Sequence, residues 1–347
     1  MPCSPSTLSP PSAVSPPSTV PVVDLRDFTH GDAAARAAFV ADTGRAFAGL
    51  GFVRVQGHEV LPELIEPAYA AARAFFSQRQ DDKLRYHVPG GAGERGYTPF
   101  GYEHARNQAV PDLKEFWHVG RELPPGHALA GVYPPNLWPA EVPAFRPRLL
   151  AVYAALERVS EALLQALALY LEEPPETFVA LTRDGNSILR PIHYPPVRGE
   201  HFIPGAVRAA AHEDINFITL LMSSTSAGLE LLTRQGQWLP VNALPGEILA
   251  DTGDMMSRIT SGVLPSTTHR VVNPADGDTD RLSMPFFVHP RPDAVLRVLE
   301  RFRGEGYPPP APDITGYGFL RRRLREIGLL DEQTEEVDRS EAGHRGG

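Results

Sequence analysis

Ala211-His212-Glu213-Asp214, Thr268-His269-Arg270 and Arg281-Leu282-Ser283-Met284-Pro285-Phe286-Phe287 punctuate residues 211–290 of this chain. The sequence around them reads as β-structure. Short apolar and β-branched runs cover residues 187–194, 209–214 continuing to 222, 229–232, 239–241, 247–250, 267–272 and 281–289. Gly, Pro, Asn and Asp separate them. Several short strands at this spacing predict a sandwich or jelly roll.

On a strand, residues i and i+2 share a face. His212 and Asp214 therefore deliver a nitrogen and an oxygen to one point, and Glu213 points away. His269 lies several strands later, on its own predicted strand, and a jelly roll can bring that strand alongside. Two imidazoles and one carboxylate on one side of a metal form the facial triad of non-haem Fe(II) sites. Zinc accepts the same set, so the residues alone do not name the ion.

Arg281 and Ser283 are a second i, i+2 pair, set among Leu282, Met284, Pro285 and Phe286. A guanidinium in an apolar wall needs an anion. That anion is either a protein carboxylate in an internal salt bridge or the carboxylate of a ligand, which Arg grips in two-pronged fashion. A triad with three open positions on the same barrel as this Arg suits a dicarboxylate. 2-Oxoglutarate would chelate the metal with its keto oxygen and adjacent carboxylate, leaving one position for O₂, while its far carboxylate meets Arg281.

The bulk composition sets limits. The 347 residues are 42% hydrophobic and 22% charged, as in a soluble globular protein. A net charge of −9 argues against a nucleic-acid binder that must neutralise phosphates. The single cysteine, Cys3, permits no internal disulfide and no iron–sulfur cluster, so any metal must use His and carboxylate. This usage fits a reducing cytoplasm. No apolar run is long enough to span a membrane. The expected partner is a small molecule, and the expected assembly a monomer or weak oligomer.

Residues 1–19 are Pro- and Ser-rich and predict a disordered leader, not a secretory signal. A helix-rich region follows over 20–186, with a short strand at 21–25, helices at 31–50 and 61–78, and strands at 51–55 and 114–119. The longest helical stripe, over 146–172, predicts a scaffold helix packed on a sheet. Residues 187–330 form the β-core, with a terminal helix at 317–327, and 331–347 a polar tail. Between them, residues 86–111 are rich in Gly and aromatics and predict a lid or mobile segment. Tyr97, Phe100, Tyr102 and Arg106 are its candidate substrate contacts.

The ordered set of motifs resembles the isopenicillin N synthase-like group of Fe(II)/2-oxoglutarate-dependent dioxygenases, over roughly residues 20–330. The matching segments include Pro21-Val22-Val23-Asp24-Leu25, Gly51-Phe52-Val53, Phe75-Phe76 with Lys83, and Asp112-Leu113-Lys114-Glu115. They continue with His212/Asp214, Gly253-Asp254, His269-Arg270 and Arg281/Ser283. The resemblance implies a mixed α/β fold: a double-stranded β-helix (jelly-roll) barrel with a helical N-terminal extension and packing helices. It implies that His212, Asp214 and His269 bind iron and that Arg281 and Ser283 bind the distal carboxylate of 2-oxoglutarate. Tyr194 keeps the group's co-substrate tyrosine, whereas Ile192 and His193 replace its Asn and first Tyr. His193 either faces substrate or packs. Phe287 falls where some flavonoid oxygenases stack an aromatic substrate. It also shares strand parity with Arg281 and Ser283 if no bulge intervenes.

The reaction implied is oxidation of a small organic substrate, by hydroxylation, desaturation or ring closure, with formation of succinate and CO₂. Other readings are an oxidase like isopenicillin N synthase that uses no 2-oxoglutarate, conversion of 2-oxoglutarate itself with release of ethylene and succinate, a zinc hydrolase, and a non-catalytic binding module. Asp254 and Arg270 are expected to be structural.

Overall fold

A computed structural model describes residues 19–90, 94–103, 110–241 and 244–326. The predicted leader, apart from Thr19, and the predicted tail lie outside the described residues, as does Arg106.

The chain opens with β1 (Val22–Asp24), α1 (Leu25–Thr29), α2 (Ala33–Leu50) and β2 (Phe52–Gln56). Local chemistry fixes α2 at both ends. Asp32 accepts hydrogen bonds from the Ala34 and Ala35 amides, 3.0 and 2.9 Å away. Gly51 ends the helix at φ 72°, where an added Cβ would lie 2.3 Å from Thr267 Oγ1. Next come α3 (Pro62–Phe76), α4 (Gln80–Leu84), β3 (Gly96–Thr98) and β4 (Glu115–Gly120). The expected lid thus contains a short, fully buried strand, β3, paired with β4.

Helix α5 (Phe145–Tyr170) buries Leu149, Tyr153, Leu156, Val159, Leu163 and Leu167 of the predicted apolar stripe. It crosses α2 so closely that a Cβ on Gly44 would sit 1.9 Å from the Tyr170 ring. After α6 (Glu176–Thr182) come β5 (Ile188–Leu189), β6 (Ile192–Tyr194), β7 (Ala209–His212), β8 (Ile218–Met222), β9 (Leu229–Leu232), β10 (Trp238–Pro240) and β11 (Ile248–Thr252). The chain continues with α7 (Asp254–Ile259), β12 (His269–Val271), β13 (Arg281–Ser283), β14 (Pro285–Val288) and α8 (Gly316–Glu326).

Two sheets result. The larger runs β1-β2-β11-β8-β14-β5-β4-β6-β13, with β3 on β4, and the smaller runs β10-β9-β12-β7. Strands of the N-terminal half pair directly with those of the C-terminal half, β2 with β11 and β4 with β5 and β6. Two predicted continuous strands are divided. Residues 209–222 split into β7 and β8, in different sheets, and residues 281–289 split at Met284 into β13 and β14. A strand passes between sheets by bending, and a short irregular segment supplies the bend.

The apolar side chains form two cores. The larger packs α2, α3 and α5 against one face of the ten-stranded sheet. The smaller draws Phe52, Phe116, Tyr194 and Leu249 from the large sheet and Leu231 and Val271 from the small one. The inner faces of the two sheets meet there. Among the described residues, no helix is long and apolar enough to cross a membrane.

Candidate active site

The smaller core opens onto a cluster of metal-binding type. His212 is the last residue of β7 and His269 the first of β12, and the two are cross-strand partners. Asp214 lies two residues past the end of β7, not on the strand as expected. The pairing is bulged: His212 faces His269, but Ala209, three residues back, faces Val271, only two residues on. One potential ligand atom from each of His212, Asp214 and His269 lies within 4.8 Å of the others. Each imidazole Nε2 is 3.9 Å from Asp214 Oδ1.

Hydrogen bonds to the far side of each group set this arrangement. His212 Nδ1 donates to the Ala210 carbonyl at 2.7 Å and His269 Nδ1 to that of Thr267 at 3.1 Å. Both protons are therefore on Nδ1, and both Nε2 lone pairs point to the common centre. Thr219 Oγ1 donates to Asp214 Oδ2 and itself accepts from Asn216 Nδ2 at 2.8 Å. Asp214 Oδ1 is left facing the imidazoles. The side chain of His212 is 35% exposed, against 8% for Asp214 and 11% for His269. His212 thus marks the open side of the cluster. Cross-strand neighbours Thr219 and Asp251 share one sheet face. Burial and the nearby charge of Asp214 push the Asp251 carboxyl well above the usual carboxylate range.

Leu221 and Leu249 continue the faces of Thr219 and Asp251 by one i, i+2 step. With Leu229, Val241 and Arg281 they line a cavity of about 130 Å³. Arg281 and Ser283 are both buried. Arg281 Nε donates to the Ser226 carbonyl at 3.1 Å, while its Nη1 is buried without a partner. Tyr194 is the cross-strand partner of Arg281, and the guanidinium carbon stands 4.9 Å from its ring centre. Among the described residues no carboxylate forms an ion pair with Arg281, so the internal salt bridge that the sequence left open does not occur there. Arg270, by contrast, pairs with Glu230 at 2.7 Å and lies on the Trp238 ring, and Asp254 pairs with Arg323 at 2.9 Å. Both make the structural contacts expected of them.

The remaining sequence candidates separate. Phe287 lies opposite Thr219 and so shares the cluster's face. The route is not simple strand parity, because the strand is interrupted at Met284. His193 and Tyr97 go elsewhere, although both were candidates for substrate contact. His193 Nδ1 is 2.7 Å from Glu115 Oε1, and its ring stacks on Phe76. Tyr97 is 1% exposed and donates to Glu115 Oε2. Phe100 meets the His201 ring, and Tyr102, half exposed, meets His87.

Sequence reasoning missed Arg190, Lys114 and Glu103 as neighbours of the site. The Arg190 guanidinium lies 4.5 Å from the Phe116 ring and 4.8 Å from the Phe287 ring. Its Nε donates to His118 Nε2, and Glu103 is 3.8 Å from its Nη1. Lys114 contacts Asp112 at 2.8 Å and Glu103 at 3.7 Å. Burial alone would raise the Glu103 carboxyl, but Lys114, Arg190 and His212 together hold it low. The available signal was Asp112-Leu113-Lys114, read only as a family match.

Two family models match the chain: the non-haem dioxygenase in morphine synthesis N-terminal model over residues 20–141 and the 2OG-Fe(II) oxygenase superfamily model over residues 185–290. A 2-oxoglutarate-Fe(II) type oxidoreductase of Aspergillus fumigatus is 31% identical over 313 residues, covering 88% of this chain and 92% of its own. A solved 2OG-Fe(II) oxygenase family protein from Caulobacter crescentus is 41% identical with a TM-score of 0.79, over 88% of this chain and 98% of that one. Neurospora crassa T7H in complex with alpha-KG and thymine is 25% identical with a TM-score of 0.77, over 87% and 96%. This chain therefore belongs to the isopenicillin N synthase-like 2OG-Fe(II) oxygenases, enzymes that oxidise a small organic substrate with Fe(II), 2-oxoglutarate and O₂ and release succinate and CO₂.

Proposed function

We propose that His212, Asp214 and His269 hold the ferrous ion through Nε2, Oδ1 and Nε2, and that Arg281, Ser283 and Tyr194 hold the distal carboxylate of 2-oxoglutarate. The two sheets, on this reading, close as a double-stranded β-helix around both. The observation that carries it is a shared strand face. Thr219, which holds Asp214 of the His-Asp-His cluster, and Leu221, which lines the cavity beside the buried Arg281 guanidinium, lie two residues apart on β8, and among the described residues that guanidinium has no carboxylate partner.

The donor set fits the group. It has two imidazoles, one carboxylate and no thiolate, which suits an ion that exchanges ligands at open positions. When bound, iron with 2-oxoglutarate and O₂ supplies the oxidant that removes hydrogen from the substrate. The chain's own residues do the rest. The Ala210 and Thr267 carbonyls fix the imidazole planes, and Thr219 fixes the Asp214 carboxylate. Leu221, Leu229 and Leu249 keep water from the co-substrate's methylene chain. Substrate approaches on the open side, past His212, where Phe287 offers a ring face and Arg190 a cation.

The test is anaerobic titration of Fe(II) and 2-oxoglutarate, followed by the visible band of the chelate and by metal content. His212→Ala and Asp214→Ala are expected to lose iron and band together. Equal loss of iron in Arg281→Ala would sink the division of roles. Absence of succinate with every substrate tried would favour an oxidase that uses no 2-oxoglutarate.

A further inference from the structure

Arg281 is not the only buried cation at its end of the molecule. Arg208, one residue before β7, has 0% of its surface exposed. Its Nη2 donates to the Thr279 carbonyl, and its Nε is buried without a partner. Its guanidinium carbon is 5.9 Å from the centre of the Tyr194 ring, the ring that Arg281 approaches to 4.9 Å. Among the described residues, neither arginine forms an ion pair.

The acidic groups whose charge reaches Arg208, Asp280 and Asp276, have other work. Asp280 pairs with Arg73 at 2.6 Å, and Asp276 accepts from the Thr279 hydroxyl and from the amides of residues 278 and 279. Two buried like charges on one aromatic ring repel, and each loses hydration. One unpaired guanidinium is explained by one carboxylate ligand. The second is then a cost with no return in the free protein, unless it too acts on the anion.

We propose that Arg208 is a second cationic anchor of the co-substrate pocket, acting with Arg281 about Tyr194 to select a 2-oxo acid with a distal carboxylate. This rests on the reading of Arg281 given above. Arg208 is a binding and positioning residue and takes no part in the chemistry at the metal. Its charge should favour the distal carboxylate and be indifferent to an analogue with a methyl group there.

The experiment titrates the anaerobic Fe(II) protein with 2-oxoglutarate and, separately, with 2-oxopentanoate, which lacks the distal carboxylate. Binding is read from the visible band and by calorimetry. Arg208→Gln keeps a donor for Thr279 and removes the charge. It is expected to weaken 2-oxoglutarate on the order of tenfold, while 2-oxopentanoate changes by less than about twofold. Equal weakening of both ligands, or of neither, overturns the proposal. If Arg281→Gln loses 2-oxoglutarate while Arg208→Gln does not, this inference falls and the reading of Arg281 stands. If wild type itself shows no preference for 2-oxoglutarate, both fall. Should Arg208→Gln not fold, hydrogen exchange on wild type decides. 2-Oxoglutarate, but not 2-oxopentanoate, is expected to slow the amides of residues 208–210 as well as 281–283, and unchanged exchange at 208–210 overturns the proposal.

Discussion

Two buried charge clusters lie on opposite faces of the β6–β13 pair, and they are built on opposite plans. On the helix side, Glu115 is surrounded. Lys83 Nζ is 2.6 Å from its Oε2, His193 Nδ1 is 2.7 Å from its Oε1, and the Tyr97 hydroxyl donates to Oε2. Lys83 also donates to the Phe76 carbonyl at 3.2 Å. On the inner side, Arg281 and Arg208 flank Tyr194 and hold unpartnered nitrogens. The closed cluster has its counter-charge in the chain. The open one has none among the described residues, and on the reading proposed above a ligand supplies it.

The largest effect should come from breaking the closed cluster. Glu115→Ala strands the Lys83 ammonium, which is only 8% exposed, at a cost of about 3–5 kcal/mol. For a chain of this size each kcal/mol lowers the melting temperature by roughly 1–2 °C. A thermal scan showing no shift would mean that Lys83 reaches water and that the cluster is not closed. Arg281→Leu should do the reverse. It removes a charge that has no counter-charge among the described residues, so the melting temperature of free enzyme should hold or rise. The dissociation constant for 2-oxoglutarate should increase roughly 30- to 100-fold, or about 2–3 kcal/mol. A large loss of stability with unchanged 2-oxoglutarate binding would reverse the assignment of the two clusters.

Tyr97→Phe deletes one donor to Glu115 and should cost about 1 kcal/mol of stability. Tyr97 was a candidate lid residue, so a raised KM for substrate with unchanged stability would restore that role. The smallest effect is one of pH. Burial opposes ionisation of Glu115, but His193 and Lys83 outweigh it and hold its carboxyl below the usual glutamate range. Its contribution to stability is therefore present above about pH 4.5 and lost as the pH falls through the lower, folded-state value. Denaturant titrations should show wild type losing more stability than Glu115→Gln between about pH 5 and 3. Equal slopes would mean that Glu115 gains nothing from its partners.

This contrast was only half legible in the sequence. Spacing alone brings His212 and Asp214 towards one point, and Arg281 with Ser283 onto one face. Those predictions rest on the pleat of a strand, which is local physics. The pattern could not show that β7 ends at His212, or that residues 281–289 change partners at Met284. Pairing between distant strands decides both. The two faces of β6 were harder still. His193 and Tyr194 are adjacent in sequence and lie on opposite sides of the sheet. Assigning each to its side needed the partners Glu115 and Arg281. Arg208 and Arg190 carried no signal at all: Arg190 falls within the predicted strand 187–194 and Arg208 just before the one at 209, and a single arginine on or beside a strand normally turns to solvent.

The bulge in β7 also makes the chain length before His212 matter more than its composition. Between Val271's partner and His269's partner the smaller sheet accommodates one residue more on β7 than on β12. The interval is filled by alanines, which bring little side-chain information. Substituting Ala210 or Ala211 changes what that interval presents. Deleting either changes its count: the bulge is removed, and with it the extra residue that sets how the Ala210 carbonyl meets His212 Nδ1. The site is thus tolerant of spelling here and intolerant of arithmetic.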